Sequence, residues 1–287
     1  MTTKTTTTRP KTDSYRQRFG LTHHPLPRDA AGSSFFSRSP GHILLESQFN
    51  ELLDEPGLGL LTGDAGVGKT AAIRNLCVQL PSPDFQVIYL CDTAAAPCDV
   101  YRTLALELGL SPSHRKSQLW WDIKAALARL LDEQHTVPVI IIDEAQHLSD
   151  RFLADLAGFL NFAFDRRSLA ALWLIGLPTL ARRLRMQLHA PLHTRIVAHV
   201  HLSPLERDDF KALIEHGIQA AGSREKLLTD PALELLFRAS RGVARIAARI
   251  LRAALKKAHL KNQNIVDDHV LKAALEDMVV VVDEVKS

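Results

Sequence analysis

The residues whose types and spacing could do chemistry fall in two short stretches. The first is Gly63-Asp64-Ala65-Gly66-Val67-Gly68-Lys69-Thr70, followed by Ala71. An apolar run (58–61) precedes it and a helical-looking segment (71–80) follows. Strand, glycine-rich turn and helix start together make the phosphate-binding pattern G-x-x-x-x-G-K-[ST]. Gly63, Gly66 and Gly68 allow backbone conformations that a side chain would block, and they turn successive N–H groups toward one point. The helix that begins there adds its positive dipole end to that point. In such a cradle Lys69 reaches the β- and γ-phosphates of a nucleoside triphosphate, and the Thr70 hydroxyl holds a Mg²⁺ ion. A turn that binds nothing is the competing reading, and the strand and helix on either side argue against it.

The second stretch is Val139-Ile140-Ile141-Ile142-Asp143-Glu144. A buried strand that ends in two acids puts a carboxylate beside the glycine-rich turn, where a parallel sheet places its ligands. Asp143 is expected to hold Mg²⁺, directly or through water, next to Thr70. Glu144 is expected to orient and deprotonate the attacking water, because phosphoryl transfer to water needs a base within hydrogen-bond reach. The pair could instead cap the helix that follows. Its position downstream of a phosphate loop, with helices and a strand between, favours hydrolysis.

These stretches need a scaffold, and the chain supplies one. Apolar strand-like runs (58–61, 87–90, 137–142, 172–175, 195–202) alternate with helical segments (70–80, 100–108, 118–131, 150–164), with another amphipathic helix ahead of them at 42–53. Most of the strand runs are continuously apolar, which implies a parallel five-stranded sheet covered on both faces. Beyond Ser203-Pro204 the pattern is purely helical (204–221, 230–239, 242–261, 267–281), with N-cap chemistry at Thr229-Asp230-Pro231 and Asp267. The expected layout is a basic, largely disordered tail over 1–18, a three-layer α/β domain over 19–203 and a small all-helical domain over 204–287. The tail is either solubilising filler or a docking arm.

Bulk composition narrows the class. A chain of 287 residues with 46% hydrophobic content suits one large domain, or a core domain with a smaller companion. Cys77, Cys91 and Cys98 have no C-x-x-C spacing, so neither zinc nor a disulfide framework is implied. His189 and His193 are separated by Pro191, which breaks the helix that would align them, and His199 and His201 share one strand face. No apolar run of about 18 residues and no hydrophobic signal core occur, so a cytoplasmic protein without a membrane segment is expected. The formal charge of +3 is mild, so a nucleic-acid case rests on where the charge sits.

The phosphate loop, the run Asp143-Glu144-Ala145-Gln146-His147-Leu148-Ser149 and the run Ser240-Arg241-Gly242-Val243-Ala244-Arg245 together resemble AAA+ ATPases. The chain looks most like the branch that contains the secretion ATPase ExeA and the transposition ATPases of the TnsC, TniB, IstB and Mu B type. Its opening, Phe19-Gly20-Leu21…Pro25-Leu26, also resembles ExeA-like starts. The resemblance implies a P-loop AAA+ domain followed by a helical lid. It makes Arg245 the sensor 2 arginine and Arg195 an arginine finger for a neighbouring subunit's ATP, with Arg182, Arg183 and Arg185 as rivals. One departure stands out: the strand 172–175 should end near a polar sensor 1 residue, but Gly176-Leu177-Pro178 follows and Thr179 is the nearest hydroxyl. Slow or partner-dependent hydrolysis is the consequence expected.

Partners follow from the same sources. Arg238, Arg241, Arg245, Arg249, Arg252 and Lys256 share one helical face if the helix runs unbroken through Gly242. That stripe is either a solvated face or a contact with a neighbouring protomer, DNA or an acidic partner. By resemblance to the transposition ATPases, Thr93, Arg102, Arg115 and Lys116 are candidates to track the phosphates of double-stranded DNA without reading sequence. Of the adjoining pair Trp120-Trp121, one is assigned to the core. An arginine finger acting in trans implies a head-to-tail homo-oligomer, a ring or a helical filament. The function expected first is a regulator of DNA transposition that selects target DNA and recruits or activates a transposase. ExeA-like proteins are expected to carry a membrane segment and a wall-binding region after the ATPase core, and origin-recognition initiators a winged helix; the chain reaches Ser287 without either. A secretion-associated ATPase and a nucleotide-switched signalling or scaffold protein are the alternatives.

Overall fold

Five runs dominated by Leu, Ile and Val pair in parallel, in the order β2-β3-β4-β1-β5. They are β1 (Leu58–Gly63), β2 (Phe85–Leu90), β3 (Val137–Ile142), β4 (Ala171–Gly176) and β5 (Ile196–Leu202). The computed structural model describes residues 15–91, 96–161 and 168–284. The helices are α1 (Tyr15–Arg18), α2 (Pro40–Asp54), α3 (Lys69–Val78), α4 (Pro97–Glu107), α5 (Lys116–Asp132), α6 (Asp150–Phe159), α7 (Pro178–Leu184), α8 (Ala190–His193), α9 (Arg207–Ala220), α10 (Asp230–Ser240), α11 (Ala244–Leu260) and α12 (Asp268–Glu284). The chain divides into two units, Ser37–Pro204 and a second made of Leu205–Ser287 with the segment that ends at Phe36.

In the α/β unit the central strands β1 and β4 are buried along their whole length, whereas edge strand β5 alternates between buried and open positions. Central strands of a parallel sheet are covered on both faces, so continuous apolar runs are what their positions demand. Leu58, Leu60, Ile140, Ile142, Leu172 and Leu174 pack into one cluster with residues of α4, α5 and α6. On the opposite parity Trp173 is fully buried and stacks on Phe49 of α2, with ring centroids 6.1 Å apart. Gly59 lies beneath that indole, where a Cβ would come within 2.7 Å of it. This is the predicted three-layer arrangement with its five-stranded parallel sheet.

The helical unit begins earlier in the chain than the sequence suggests. Phe19 and Leu21 are buried in the same cluster as Phe210, Ile214 and Ile218 of α9 and Leu251 and Leu255 of α11. The Thr22 N–H and hydroxyl both donate to the Ala221 carbonyl, at 2.8 and 3.0 Å. A Cβ at Gly217 would lie 2.3 Å from the Pro25 carbonyl oxygen, so this segment runs flush against α9. Residues 19–36 therefore pack in the helical unit and not at the start of the α/β domain. The expected tail is also shorter at its far end. Residues 15–18 are helical, and the Arg18 guanidinium donates to the side-chain oxygens of Asn262 and Asn264 at 2.7 and 2.9 Å. The rest of that tail lies outside the described residues.

Two helix expectations also change. The proposed single helix through Gly242 is two helices, because Arg241 (φ +53°) and Gly242 (φ +73°) both adopt left-handed backbone between α10 and α11. A Cβ at residue 242 would collide with the Leu205 carbonyl oxygen at 2.2 Å. Arg238 and Arg241 thus leave the stripe, and Arg238 pairs with Glu234 at 3.0 Å. Helix α7, which the sequence pattern does not announce, starts with Pro178 in its first turn, where a missing N–H costs nothing. Helix α6 ends at Phe159; residues 162–164 of the expected longer helix (150–164) lie outside the described residues. No helix among the described residues is long and apolar enough to cross a membrane.

Candidate nucleotide site

Strand β1 delivers the loop 63–70 from its carboxyl end, and α3 carries it away. Gly63 is required by close approach, since a Cβ there would stand 2.3 Å from the Leu202 carbonyl oxygen of neighbouring β5. Gly68, the residue before α3, takes φ +109°, which a side chain rarely tolerates. Asp64 and Ala65 are exposed at the tip of the loop, Gly66 is half-buried, and Val67 is buried and anchors the loop. Ala71 follows in the first turn of α3.

Lys69 is buried, and its ammonium donates to the Gly63 and Asp64 carbonyls at 2.8 and 3.0 Å. A buried cation needs such partners, and these two keep it within the loop. Thr70 and Asp143, 73 residues apart, meet directly: the Thr70 hydroxyl donates to Asp143 Oδ2 at 2.7 Å. Asp143 is buried at the end of β3, and its Oδ1 accepts the Glu144 N–H at 2.8 Å. Its Oδ2 also accepts the Tyr89 hydroxyl at 3.0 Å. Burial, and after it the Asp143 charge, pushes the Tyr89 phenol well up, so Tyr89 stays a donor.

Glu144 takes left-handed backbone (φ +50°), a strained choice for a non-glycine residue, and its carboxylate is exposed. Glu144 Oε2 accepts from the Gln146 side-chain amide at 2.5 Å. The loop behind it is fixed by Arg183 of α7, which donates to the Gln146 carbonyl (3.2 Å), the Leu148 carbonyl (2.6 Å) and Asp150 (2.7 Å). Those bonds from Arg183, with a second from buried His189, hold the Asp150 carboxyl below the usual carboxylate range.

The sequence-predicted cradle and acids are therefore brought together. The oxygens of Thr70 and Asp143 are the hard ligands that Mg²⁺ takes, and a buried ammonium beside a helix N-terminus suits a polyphosphate, so the residues present fit both ligands. Arg183 is committed to the 146–150 loop and so is no free rival for the arginine finger. Arg182 and Arg185 are exposed, and Arg195 is half-buried just ahead of β5. Arg245 is exposed in the first turn of α11, in the helical unit. Tyr89 and Gln146 are parts of the site that the sequence reading does not name, and Arg183, expected as a rival arginine finger, instead braces the 146–150 loop; a Tyr at the end of an edge strand and the missing polar residue after β4 are the only signals of them.

The DNA candidates fare unevenly. Thr93 lies outside the described residues. Arg102 is paired with Asp99 at 2.6 Å, and Lys116 with Asp155, its ammonium 4.6 Å above the Trp120 ring. Arg115 is exposed. Trp120 packs edge-on against Tyr101 and Phe159 in the core, while Trp121 is 68% exposed.

Comparison with known proteins agrees with this geometry. Residues 52–184 match the AAA domain family. Over 281 residues, 91% of this chain, the sequence is 31% identical to general secretion pathway protein A of Aeromonas hydrophila. The chain spans about half the length of that relative, 48%. The fold is similar to the ADP form of Aeropyrum pernix ORC2 (TM-score 0.66, 16% identity, 91% of this chain and 72% of that one). It is also similar to Aeropyrum pernix ORC1, solved in complex with DNA (TM-score 0.60, 17% identity, 81% and 65%). The chain thus has the P-loop AAA+ fold, with the match to the AAA domain family lying over residues 52–184.

Proposed function

We propose that this AAA+ ATPase domain is the Mg²⁺-dependent, ATP-hydrolysing switch of a secretion-associated ATPase, working in the cytoplasm as a head-to-tail homo-oligomer. One observation carries the reading: Thr70 and Asp143 meet at 2.7 Å beside the buried Lys69 ammonium. Lys69 and the N–H groups of residues 63–71 hold the phosphates, and Thr70 and Asp143 hold the metal. Bound Mg²⁺ neutralises charge on the β- and γ-oxygens. Glu144 takes the proton of the attacking water, Arg245 senses the γ-phosphate, and Arg195 completes a neighbouring subunit's site.

The secretion assignment is supported by the 31% identity to the Aeromonas hydrophila protein. Since the chain spans only about half of that relative, where it ends decides nothing between secretion and transposition. Phosphate release by the purified chain tests the chemistry. Glu144→Gln should bind labelled ATP with near wild-type affinity and release phosphate at least a hundredfold more slowly, and Lys69→Ala should not bind. Normal turnover by Glu144→Gln would remove Glu144 as the base.

A second reading, regulation of DNA transposition with double-stranded DNA and a transposase as partners, is supported by the exposed cationic face of α11. Sedimentation with random duplex DNA separates the two: ATP-dependent assembly on DNA favours transposition, and assembly indifferent to DNA favours secretion.

A further inference from the structure

The end of β4 lacks the polar side chain that the family resemblance leads one to expect, and Gln146 stands in its place. The Gln146 side chain spans two elements. Its Oε1 accepts the Leu177 N–H, the first residue past β4, at 3.1 Å, and its Nε2 donates to Glu144 Oε2 at 2.5 Å. The two partners fix the amide's orientation, because an N–H can be met only by the oxygen and a carboxylate only by the NH₂. The same amide explains the residue at the strand end. A Cβ on Gly176 would lie 2.7 Å from Gln146 Oε1, so a side chain there and this amide exclude each other. Below, Arg183 clamps the Gln146 carbonyl, and so the donor is held at both ends.

The geometry points to Gln146 as the positioning residue of the hydrolytic site: its amide aims the Glu144 carboxylate from a fixed anchor just past β4 and does the work of the missing polar side chain. This rests on the reading of Glu144 as the base. A rigidly anchored donor confines a carboxylate that is otherwise exposed on a long, rotatable side chain, which is where preorganisation yields most. Glutamate at 146 keeps the volume and loses the donor, and alanine loses both bonds.

Steady-state phosphate release and labelled-ATP titration on the full chain test this, with Glu144→Gln as the control and thermal melting to check folding. Gln146→Ala and the isosteric Gln146→Glu should lower kcat about tenfold or more, Gln146→Glu the further, with nucleotide affinity within twofold of wild type. Gly176→Ala should lower kcat in the wild-type background and lower it by less in the Gln146→Ala background, where there is no amide left to displace and the 2.9 Å approach to the Leu180 side chain remains. A kcat within threefold of wild type in both Gln146 variants, or affinity falling in step with kcat, would overturn the assignment. A rise in kcat would overturn it as well, by making the amide a restraint. If Glu144→Gln is inert while the Gln146 variants are normal, only this inference fails. If Glu144→Gln turns over normally, the base assignment fails first and takes this one with it.

Discussion

The two units handle charge in opposite ways. In the α/β unit the groups that matter are turned on one another: Lys69 on its own loop carbonyls, Thr70 and Tyr89 on Asp143, Gln146 on Glu144. In the helical unit Arg249, Arg252 and Lys256 stand exposed along one face of α11, while its buried positions are apolar. A buried polar group with a partner is a position, and displacing it by an ångström removes its use. An exposed cation contributes a field that survives small displacements and weakens with salt. Substitutions should accordingly act on turnover and binding geometry in one unit and on long-range affinity in the other.

The sharpest way to break this contrast is Gly63→Ala. Its Cβ would meet a backbone oxygen, Leu202 O, at 2.3 Å, and backbone cannot rotate aside as a side-chain tip can. The strand end must shift, at a cost of roughly 1–3 kcal/mol, and the cradle shifts with it. Nucleotide affinity should fall by at least about a hundredfold in a titration with labelled ATP, roughly 3 kcal/mol. Unchanged affinity would mean that the cradle tolerates displacement as an exposed face does.

How much of this could be read beforehand depends on how far apart in sequence the contacting residues lie. The phosphate loop is contiguous, and the five strands announce themselves as apolar runs, so both were legible. The pairing of Thr70 with Asp143 was legible too, because the parallel topology carries strand ends to one edge. Gln146 meeting Leu177, and Arg183 meeting residues 146, 148 and 150, are long-range contacts of a side chain with distant backbone or, at Asp150, with another side chain, and they leave no periodic trace. The packing of residues 19–36 against α9 is hidden in the same way, and the break at Gly242 was missed because Arg241, a residue with no turn signature, adopts left-handed backbone beside it.

The second test concerns His24, the one titratable side chain that is buried among the described residues of the helical unit. His24 is 7% exposed, its Nδ1 accepts the Leu26 N–H at 3.0 Å, and Arg252, His23 and Arg16 surround it with positive charge. Burial first, then Arg252, lowers its pKa from 6.5 to about 4. The folded value lies below the unfolded one, so protons favour the unfolded chain. The stability that neutral His24 contributes is complete above pH 6.5 and is lost as pH falls toward 4. The full swing is on the order of 3 kcal/mol, with about 2 kcal/mol gone by pH 5. All three tryptophans lie in the other unit, so hydrogen exchange over residues 15–36 and α9 is the measurement that reports it. His24→Asn keeps an acceptor for Leu26 and should flatten the dependence between pH 7 and 5. An unchanged pH profile in that variant would show that the segment is held by its apolar contacts alone.

The smallest effect on folding, and the most informative about partners, is expected from α11. Arg249→Ala with Lys256→Ala removes two exposed cations for which no ion pair is found among the described residues, and surface changes of this kind move stability by about 0.5 kcal/mol or less. If the face meets a nucleic acid, each lost phosphate contact lowers the slope of log affinity against log salt by about 0.9, so the pair should reduce it by roughly two. The fall should be the same for every duplex sequence tried, because contacts of this kind read charge and not bases. A sequence-dependent loss would mean that the face docks in a defined register, as the buried groups of the α/β unit do, and the contrast between the two units would fail there. No loss would leave α11 a solvated face and remove the observation on which the transposition reading stands.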